Sequence, residues 1–115
     1  MTCMAQGALA QGPLAEYIDR YWDETEKKVQ RLTKQHQVES IASWPENDNP
    51  MMRADNATGG WYYVPENTVV ELDDDPLSVV GEVHLVISDG AELKCPKGLR
   101  VQAANNAVLY IFWRY

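Results

Sequence analysis

Lysine and arginine are missing from one long interval of the sequence, because none occurs between Arg53 and Lys94. The same interval carries a run of carboxylates, and the whole chain has a formal net charge of −7. Since proteins bind DNA and RNA by neutralising phosphates with Lys and Arg, this pattern argues against direct nucleic-acid binding. It is typical of a solvated acidic face, and it also suits a surface that attracts a basic protein. The acidic residues of the interval are Asp55, Glu66, Glu71, Asp73, Asp74, Asp75, Glu82, Asp89 and Glu92.

Long apolar runs are also missing. No stretch approaches the roughly 18 apolar residues that indicate a transmembrane helix. The N-terminus, MTCMAQGALAQGPLAEY, has neither the basic start nor the apolar core of a signal peptide. We therefore expect no membrane insertion and, for the chain as written, a cytoplasmic location. With 115 residues and 45% hydrophobic content, the sequence fits one small folded domain.

Cysteine is scarce, and catalytic motifs are absent. Cys3 and Cys95 lie far apart and match no metal-ligand spacing, so we interpret them as unrelated thiols and leave a disulfide open. The sequence has no G-x-S-x-G motif, no Cys beside a His and no Gly-rich phosphate loop. We therefore expect no enzymatic activity, no catalytic residue, no metal site and no cofactor.

Two polar features remain as candidate sites. Asp73, Asp74 and Asp75 precede a proline in the sequence DDDP, but the spaced ligands of a calcium loop are missing. Such a run is typical of a solvated turn, and we keep the three aspartates as candidate ligand-binding residues. His84, beside Glu82, has no second ligand at a suitable spacing, which favours a structural role over metal binding or general-base catalysis.

The chain divides into four segments. Residues 1–13 are small and polar, and we predict that they are disordered. Residues 14–44 suit either a helix or a hairpin around the polar turn DETEK, and periodicity does not separate the two. Residues 45–60 contain prolines, asparagines and a Gly-Gly pair, which predicts a loop. Residues 61–115 form the predicted core.

That core has a period of eight residues. Apolar residues recur at this spacing, and between 77 and 113 the odd positions are apolar except in the turns. Short strands with a turn at every eighth residue predict a mainly β fold, a short parallel β-solenoid-like stack with the N-terminal hairpin or helix packed on it. An antiparallel meander or sandwich remains the alternative. The repeated positions are Trp61, Val69, Leu77, Leu85, Leu93, Val101 and Leu109.

Strand alternation assigns directions to the aromatic cluster after Gly60. Continuing the odd positions backwards points Trp61 and Tyr63 to the core and Tyr62 to solvent. An exposed Tyr62 is a candidate platform for a sugar ring, although packing is the more common role of such clusters.

The C-terminal segment AVLYIFWRY is apolar on both faces of the predicted strand. A bare apolar edge strand invites pairing, and a terminal coil normally needs a cap. We therefore predict that this edge is covered by residues 14–41, by a second copy or by a binding partner. The candidate interface residues are Val108, Tyr110, Phe112 and Tyr115.

Three stretches carry a resemblance to known proteins: GWYYV, GEVHLVISDGAELKCPKGLRV and AVLYIF, preceded by YIDRYWDETEKKV. Over roughly residues 16–112 the sequence resembles a segment of large surface or secreted proteins of gut bacteria, mainly Firmicutes. Those proteins are often described as having carbohydrate-binding or leucine-rich-repeat modules. They usually have an export signal and further coils, so we expect an isolated or shortened opening module here. The resemblance implies a β-helix-like architecture and an extracellular context, without naming active residues.

Two functions follow as hypotheses. The first is a non-enzymatic binding or adhesion module that binds carbohydrate or protein, with homo-oligomerisation through the C-terminal edge. The second is a small acidic inhibitor that mimics nucleic acid and blocks a basic nuclease or other DNA- or RNA-binding protein. Salt-sensitive capture of a basic protein favours the second, because exposed charge pairs are screened by salt.

Overall fold

The computed structural model describes residues 13–46, 49–102 and 106–113. The predicted disorder of residues 1–13 therefore concerns positions outside the described residues, apart from Pro13, and Tyr115 also lies outside them. The described chain is mainly β, with parallel sheets stacked as a β-solenoid of about three turns and an antiparallel N-terminal hairpin. Within these ranges, no helix has the length and apolar character needed to cross a membrane.

The strands are short except in the hairpin. In chain order they are β1 (Leu14–Asp23), β2 (Lys28–Gln37), β3 (Glu39–Ser40), β4 (Met51–Arg53), β5 (Trp61–Val64), β6 (Val69–Glu71), β7 (Leu77–Val80), β8 (Glu82–Ile87), β9 (Glu92–Lys94), β10 (Leu99–Val101) and β11 (Val108–Trp113), with a short 3-10 helix at Trp44–Glu46.

The strands of the solenoid form three parallel sheets, and the two central coils, β5-β6-β7 and β8-β9-β10, each contribute one strand to every sheet. The sheets have the orders β11-β8-β5-β3, β10-β7-β4 and β6-β9. Trp61 pairs with His84, and Val69 pairs with Glu92, so equivalent positions in these sheets are 23 residues apart. One coil is therefore close to three of the eight-residue units seen in the sequence. The predicted solenoid is confirmed over the antiparallel meander.

The coils turn at tight corners, and Gly60 shows why one of them requires glycine. Its φ is 88°, and a Cβ atom at this position would lie 2.7 Å from the carbonyl oxygen of Glu82 in the next coil. The Gly60 amide donates to Asn56 Oδ1 over 2.6 Å, and its carbonyl accepts from the His84 amide over 2.8 Å. The corner thus holds two successive coils in register.

The interior is a column of aliphatic side chains closed by two aromatic rings. From Leu77 to Cys95 the predicted inward positions are confirmed, with Leu77, Val79 and Val83 fully buried. The orientation predicted for the preceding strands is wrong, because the inward positions there are even-numbered. The main core consists of Ile41, Trp44, Met52, Tyr62, Val64, Val70, Leu72, Leu77, Val79, Val83 and Leu85.

The corner at Asp73–Pro76 accounts for this change. Leu72 and Leu77 are both buried, and they are separated by an odd number of positions. Side chains alternate along an extended chain, so an odd spacing between two inward residues reverses which positions face the core. The average spacing of eight residues hides this single irregular corner.

The N-terminal segment forms a hairpin rather than a helix. Strands β1 and β2 pair without a bulge from Leu14 opposite Gln37 to Asp23 opposite Lys28. In the turn, Asp23 Oδ1 accepts from the Thr25 amide, and the Asp23 carbonyl accepts from the Lys27 amide. These bonds satisfy the turn backbone locally, as expected for a polar turn.

The solenoid begins earlier than predicted. Strand β3 precedes residue 61 in the chain and already pairs with β5. Strand β4 lies inside the segment that was predicted to be a loop. Strand β4 has three residues, and Met52 is fully buried in the core while Arg53 is exposed. Strand β4 is stabilised by its pairing with β7, and its own sequence has no strand pattern. Composition alone therefore indicates a loop.

Candidate binding site

The two ends of the solenoid differ in how they are closed. At the first coil, Ile41, Trp44 and Met52 are all buried. The Trp44 ring meets the Tyr62 ring edge-on, with 5.5 Å between their centroids. This aromatic contact closes the core at that end and leaves little apolar surface there.

The last coil is open. Strands β9, β10 and β11 are each the edge strand of their sheet, so all three present backbone groups at the same end of the molecule. Six apolar side chains on β10 and β11 are 40–50% exposed: Leu99, Val101, Val108, Tyr110, Ile111 and Trp113. The equivalents of Leu99, Val101 and Ile111 one coil earlier are buried in the core, whereas Val108 and Tyr110 pair with Glu82 and His84 on the outer face of the sheet.

A cleft of about 690 Å³ opens at this end. It reaches down to Leu85, a core residue, and its walls include Leu93, Leu109 and Ile111. Cys95 also lines the cleft as a free thiol, and burial raises the pKa of that thiol, which favours its neutral form. The cleft is the continuation of the core into solvent, so it suits an apolar ligand.

The charged groups near the cleft lie on the outer side of the coil. On β9, Lys94 Nζ lies 3.7 Å from Glu92 Oε2, and both side chains are more than half exposed. On β10, Arg100 is exposed between the inward-facing Leu99 and Val101. The open end therefore combines an apolar interior, unpaired strand edges and a charged rim, which is the usual anatomy of a protein-binding surface.

A second feature is a stack of four rings on the outer surface of sheet β11-β8-β5-β3. In-register pairing places Trp61 and Tyr110 on either side of His84. The ring centroids lie 4.3 Å apart for Trp61 and His84, and 5.0 Å apart for His84 and Tyr110. His36 of the hairpin continues the stack over Trp61 at 4.2 Å.

The hairpin docks beside this stack through few residues. The Tyr17 ring lies 5.0 Å from Trp61 and 4.8 Å from Phe112, in a small cluster with Ala15, Val38 and Val86. No residue between Tyr17 and Val38 is fully buried, so the rest of the hairpin projects from the solenoid.

The predicted covering of the C-terminal strand is therefore only partly realised by the hairpin. Phe112 is half-buried and packs against Tyr17. In contrast, Val108 and Tyr110 remain 40% and 43% exposed. Of the predicted interface residues that the structure describes, Val108 and Tyr110 are therefore exposed and Phe112 is partly covered.

His84 lies on the outer surface as predicted, but it is enclosed by rings rather than by solvent. Its Nε2 lies 3.3 Å from Glu82 Oε2, while its Nδ1 is buried with no hydrogen-bond partner among the described residues. Burial lowers the pKa of His84, Glu82 opposes this shift, and His36 adds to it. Among the described residues, no group of three His, Cys, Asp or Glu side chains is arranged to hold a metal ion.

The predicted ligand-binding residues lie in different places. Tyr62 is 2% exposed, so its predicted orientation is wrong: the hydroxyl accepts from the Arg53 amide over 2.9 Å and lies 3.2 Å from the Arg53 carbonyl. Burial raises the pKa of Tyr62. A ring in this position is not available as a sugar platform.

The three aspartates form a corner on the outside of the solenoid. Asp73 and Asp74 are exposed, whereas the half-buried Asp75 accepts a hydrogen bond from the Asn49 amide over 3.2 Å. Asp75 thus has a structural contact with the Asn49 backbone. The role of the three aspartates in binding a ligand stays a prediction.

A polar groove of about 520 Å³ separates the hairpin from the solenoid. Tyr63 and Glu66 line one side, and Glu16 and Gln35 line the other. Sequence reasoning missed this groove because it depends on how the hairpin docks. Tyr63 was predicted to point inward and instead faces the groove.

The ring stack was also missed, although the sequence contains its signal. His84 and Trp61 are one coil length apart, and 26 positions separate Tyr110 from the paired His84.

Comparison with protein-family models, curated proteins and solved structures finds no match to the chain.

Proposed function

We propose that the protein is a non-enzymatic binding module whose working surface is the open C-terminal end. The observation that carries this proposal is the coincidence of three edge strands and an apolar cleft at one end. The first coil, built from the same kinds of strands, buries its apolar residues. A ligand that completes the last coil restores the same environment there.

The ligand class best suited to this end is a protein segment in extended conformation. An added strand forms backbone hydrogen bonds with an exposed sheet edge, and alternate side chains enter the pockets beneath it. Strand β11 offers six residues of edge, and its inward residues Leu109, Ile111 and Trp113 line the cleft. Apolar side chains at every second position of the ligand are therefore required.

The resemblance to bacterial surface proteins supports an adhesive role for such a module. Surface adhesion requires a rigid scaffold that presents a recognition surface, and a solenoid with a core of aliphatic ladders provides one. Strand β11 is held in register on β8 over its whole length, so its free edge is straight enough for one ligand strand to pair along it.

A synthetic peptide with the sequence of residues 106–113, extended by lysines for solubility, is the probe for this proposal. We expect saturable binding to the full chain in a fluorescence-anisotropy titration, and loss of binding by tenfold or more in Ile111→Lys. Val29→Lys is the matched control, because Val29 is an exposed apolar strand residue on the hairpin and does not line the cleft. Equal binding to both variants, or no binding to the unmodified chain, contradicts the proposal.

Carbohydrate binding is a second candidate, favoured by the polar groove. One aromatic ring, Tyr63, is combined there with the carboxylates of Glu16 and Glu66 and the amide of Gln35, and this mixture suits the hydroxyls and the apolar face of a sugar. Retention on a glycan array that is lost in Tyr63→Ala and in Glu66→Ala supports it. Tyr21→Ala, on the exposed part of the hairpin, is the control. Retention that survives both groove substitutions excludes the groove.

A further inference from the structure

We propose that the partner at the open end is a second copy of this chain, docked by antiparallel pairing of the two β11 strands about a two-fold axis. This inference rests on the proposed function, because it names the segment that adds to the edge. A two-fold axis makes an interface self-complementary, since the same surface appears on both sides. The question is therefore whether the open end of this chain complements itself.

Strand β11 meets this requirement in its side chains. Residues directly opposite one another in an antiparallel pair point to the same face of the sheet. The two-fold axis must therefore place one residue of β11 opposite the same residue of the partner. With the axis at Ile111, Leu109 lies opposite the partner's Trp113 on the inner face. On the outer face, Tyr110 lies opposite the partner's Phe112. These cross-strand pairs are apolar, and Val108 lies opposite position 114, which is outside the described residues.

The ring stack gives the outer face a specific continuation. Tyr110 is the last ring of the series His36, Trp61, His84 and Tyr110, and it is 43% exposed. In the dimer, the next ring along the sheet is the partner's Phe112. The aromatic surface that runs across one sheet therefore extends into the sheet of the second copy.

The charges at the rim are compatible with this arrangement. An axis through β11 brings the side of β9 in one copy to the side of β10 in the other, because the two remaining faces of the coil exchange places. Strand β9 carries the exposed Glu92 and Lys94, which lie 3.7 Å apart, and β10 carries the exposed Arg100. Glu92 thus supplies a carboxylate toward the partner's Arg100 on each side of the axis, at the periphery, where such pairs contribute specificity more than affinity.

The area is sufficient for a specific but weak dimer. Six large apolar side chains at 40–50% exposure present roughly 500 Å² per copy, so a dimer buries on the order of 1,000 Å², the lower bound of specific interfaces. A dissociation constant of about 1–100 µM is expected for such an interface. Dilute samples are therefore monomeric and concentrated ones dimeric.

Sedimentation velocity over roughly 1–500 µM tests the association over the expected range. We expect a monomer–dimer transition in the unmodified chain and in Val29→Lys, and at least a tenfold weaker association in Ile111→Lys and in Val101→Lys. Circular dichroism of each variant identifies loss of folding, and the two lysine variants lie on different strands of the open end. A monomer at all concentrations, or association unaffected by both lysine variants, overturns the proposal.

A disulfide test examines the register directly. In a Cys3→Ser, Cys95→Ser background, Ile111→Cys places two thiols opposite each other across the axis, and mild oxidation is expected to give a covalent dimer. Val29→Cys is the control and is expected to give no covalent dimer. If sedimentation shows a dimer but Ile111→Cys gives no covalent dimer, the β11 arrangement is wrong. If the chain stays monomeric while the β11 peptide binds, the second copy is rejected and the binding module remains.

Discussion

His84→Phe is expected to stabilise the protein, because it removes an unsatisfied polar atom and keeps the ring stack. His84 lies between Trp61 and Tyr110 with interplanar angles of 7° and 14°. When Nε2 donates to Glu82, the buried Nδ1 is left as a bare acceptor without a partner among the described residues. A phenyl ring retains the flat shape and has no such atom.

The size of the effect follows from two opposing contributions. A buried polar group without a partner costs about 1–3 kcal/mol of the free energy of unfolding. The lost contact with Glu82, whose side chain is 62% exposed, is worth less than about 1 kcal/mol. We therefore expect His84→Phe to raise the free energy of unfolding by about 1 kcal/mol at neutral pH, which is roughly 4 °C in Tm for a domain of this size.

The difference in the free energy of unfolding between His84→Phe and the unmodified chain is also expected to depend on pH. Burial lowers the pKa of His84 in the folded state below its ordinary value of 6.5, so the unfolded state binds the proton more readily. The contribution of neutral His84 to the free energy of unfolding is fully present above that ordinary pKa. This contribution is lost as the pH falls through the lowered pKa of the folded state. Phenylalanine does not titrate, so the advantage of the variant grows in this range.

Urea denaturation followed by circular dichroism at several pH values between about 5 and 8 measures both effects around the ordinary histidine pKa. His36→Phe is the matched control: His36 stacks on the same Trp61, but its Nδ1 lies 2.8 Å from the Gln37 carbonyl, so replacing it removes a hydrogen bond. That variant is expected to lose stability. A destabilised His84→Phe, or a stability difference that does not change with pH, refutes the reasoning.

Three further substitutions test the corners and the core by the same urea assay. Tyr62→Phe removes the hydroxyl bonded to the backbone of β4 and is expected to cost about 1–2 kcal/mol; an unchanged midpoint contradicts this. Asn56→Ala removes the side-chain oxygen that accepts from the Gly60 amide and should cost about 1–3 kcal/mol. Gly60→Ala puts a methyl group 2.7 Å from the Glu82 carbonyl and should cost more than Gly59→Ala, which meets nothing within 4 Å; equal losses contradict the proposed close approach.

Much of the solenoid could be predicted because its signal is repeated along the chain. The inward residues from Leu77 to Cys95 fall on the odd positions, with Asp89 in a turn as the polar exception, so period counting detects them directly. The hairpin could not be distinguished from a helix, since its strands carry no alternation of buried and exposed residues beyond Tyr17. Only the pairing of β1 with β2 distinguishes the two.

The orientation of Tyr62 could not be read from the repeat, and the reason is physical. A repeat averages the corners, whereas the direction of a side chain depends on the number of residues in each corner. One odd corner between Leu72 and Leu77 exchanges the roles of Tyr62 and Tyr63. The candidate binding surface therefore changed from an exposed ring at residue 62 to the groove beside residue 63 and the open end.

The open end also determines the stability of the coil that carries it. In a solenoid, each coil is stabilised mainly by its neighbours, so a coil with one neighbour is less stable than a coil with two. Here the residues paired with the buried Leu77 and Val79 are Leu99 and Val101, which are 50% and 47% exposed. A strand added to this end therefore supplies the missing neighbour as well as an interface. In the proposed complex, binding and completion of the fold are consequently one process in the last coil, and a substitution that loosens that coil should weaken association even where it touches no partner.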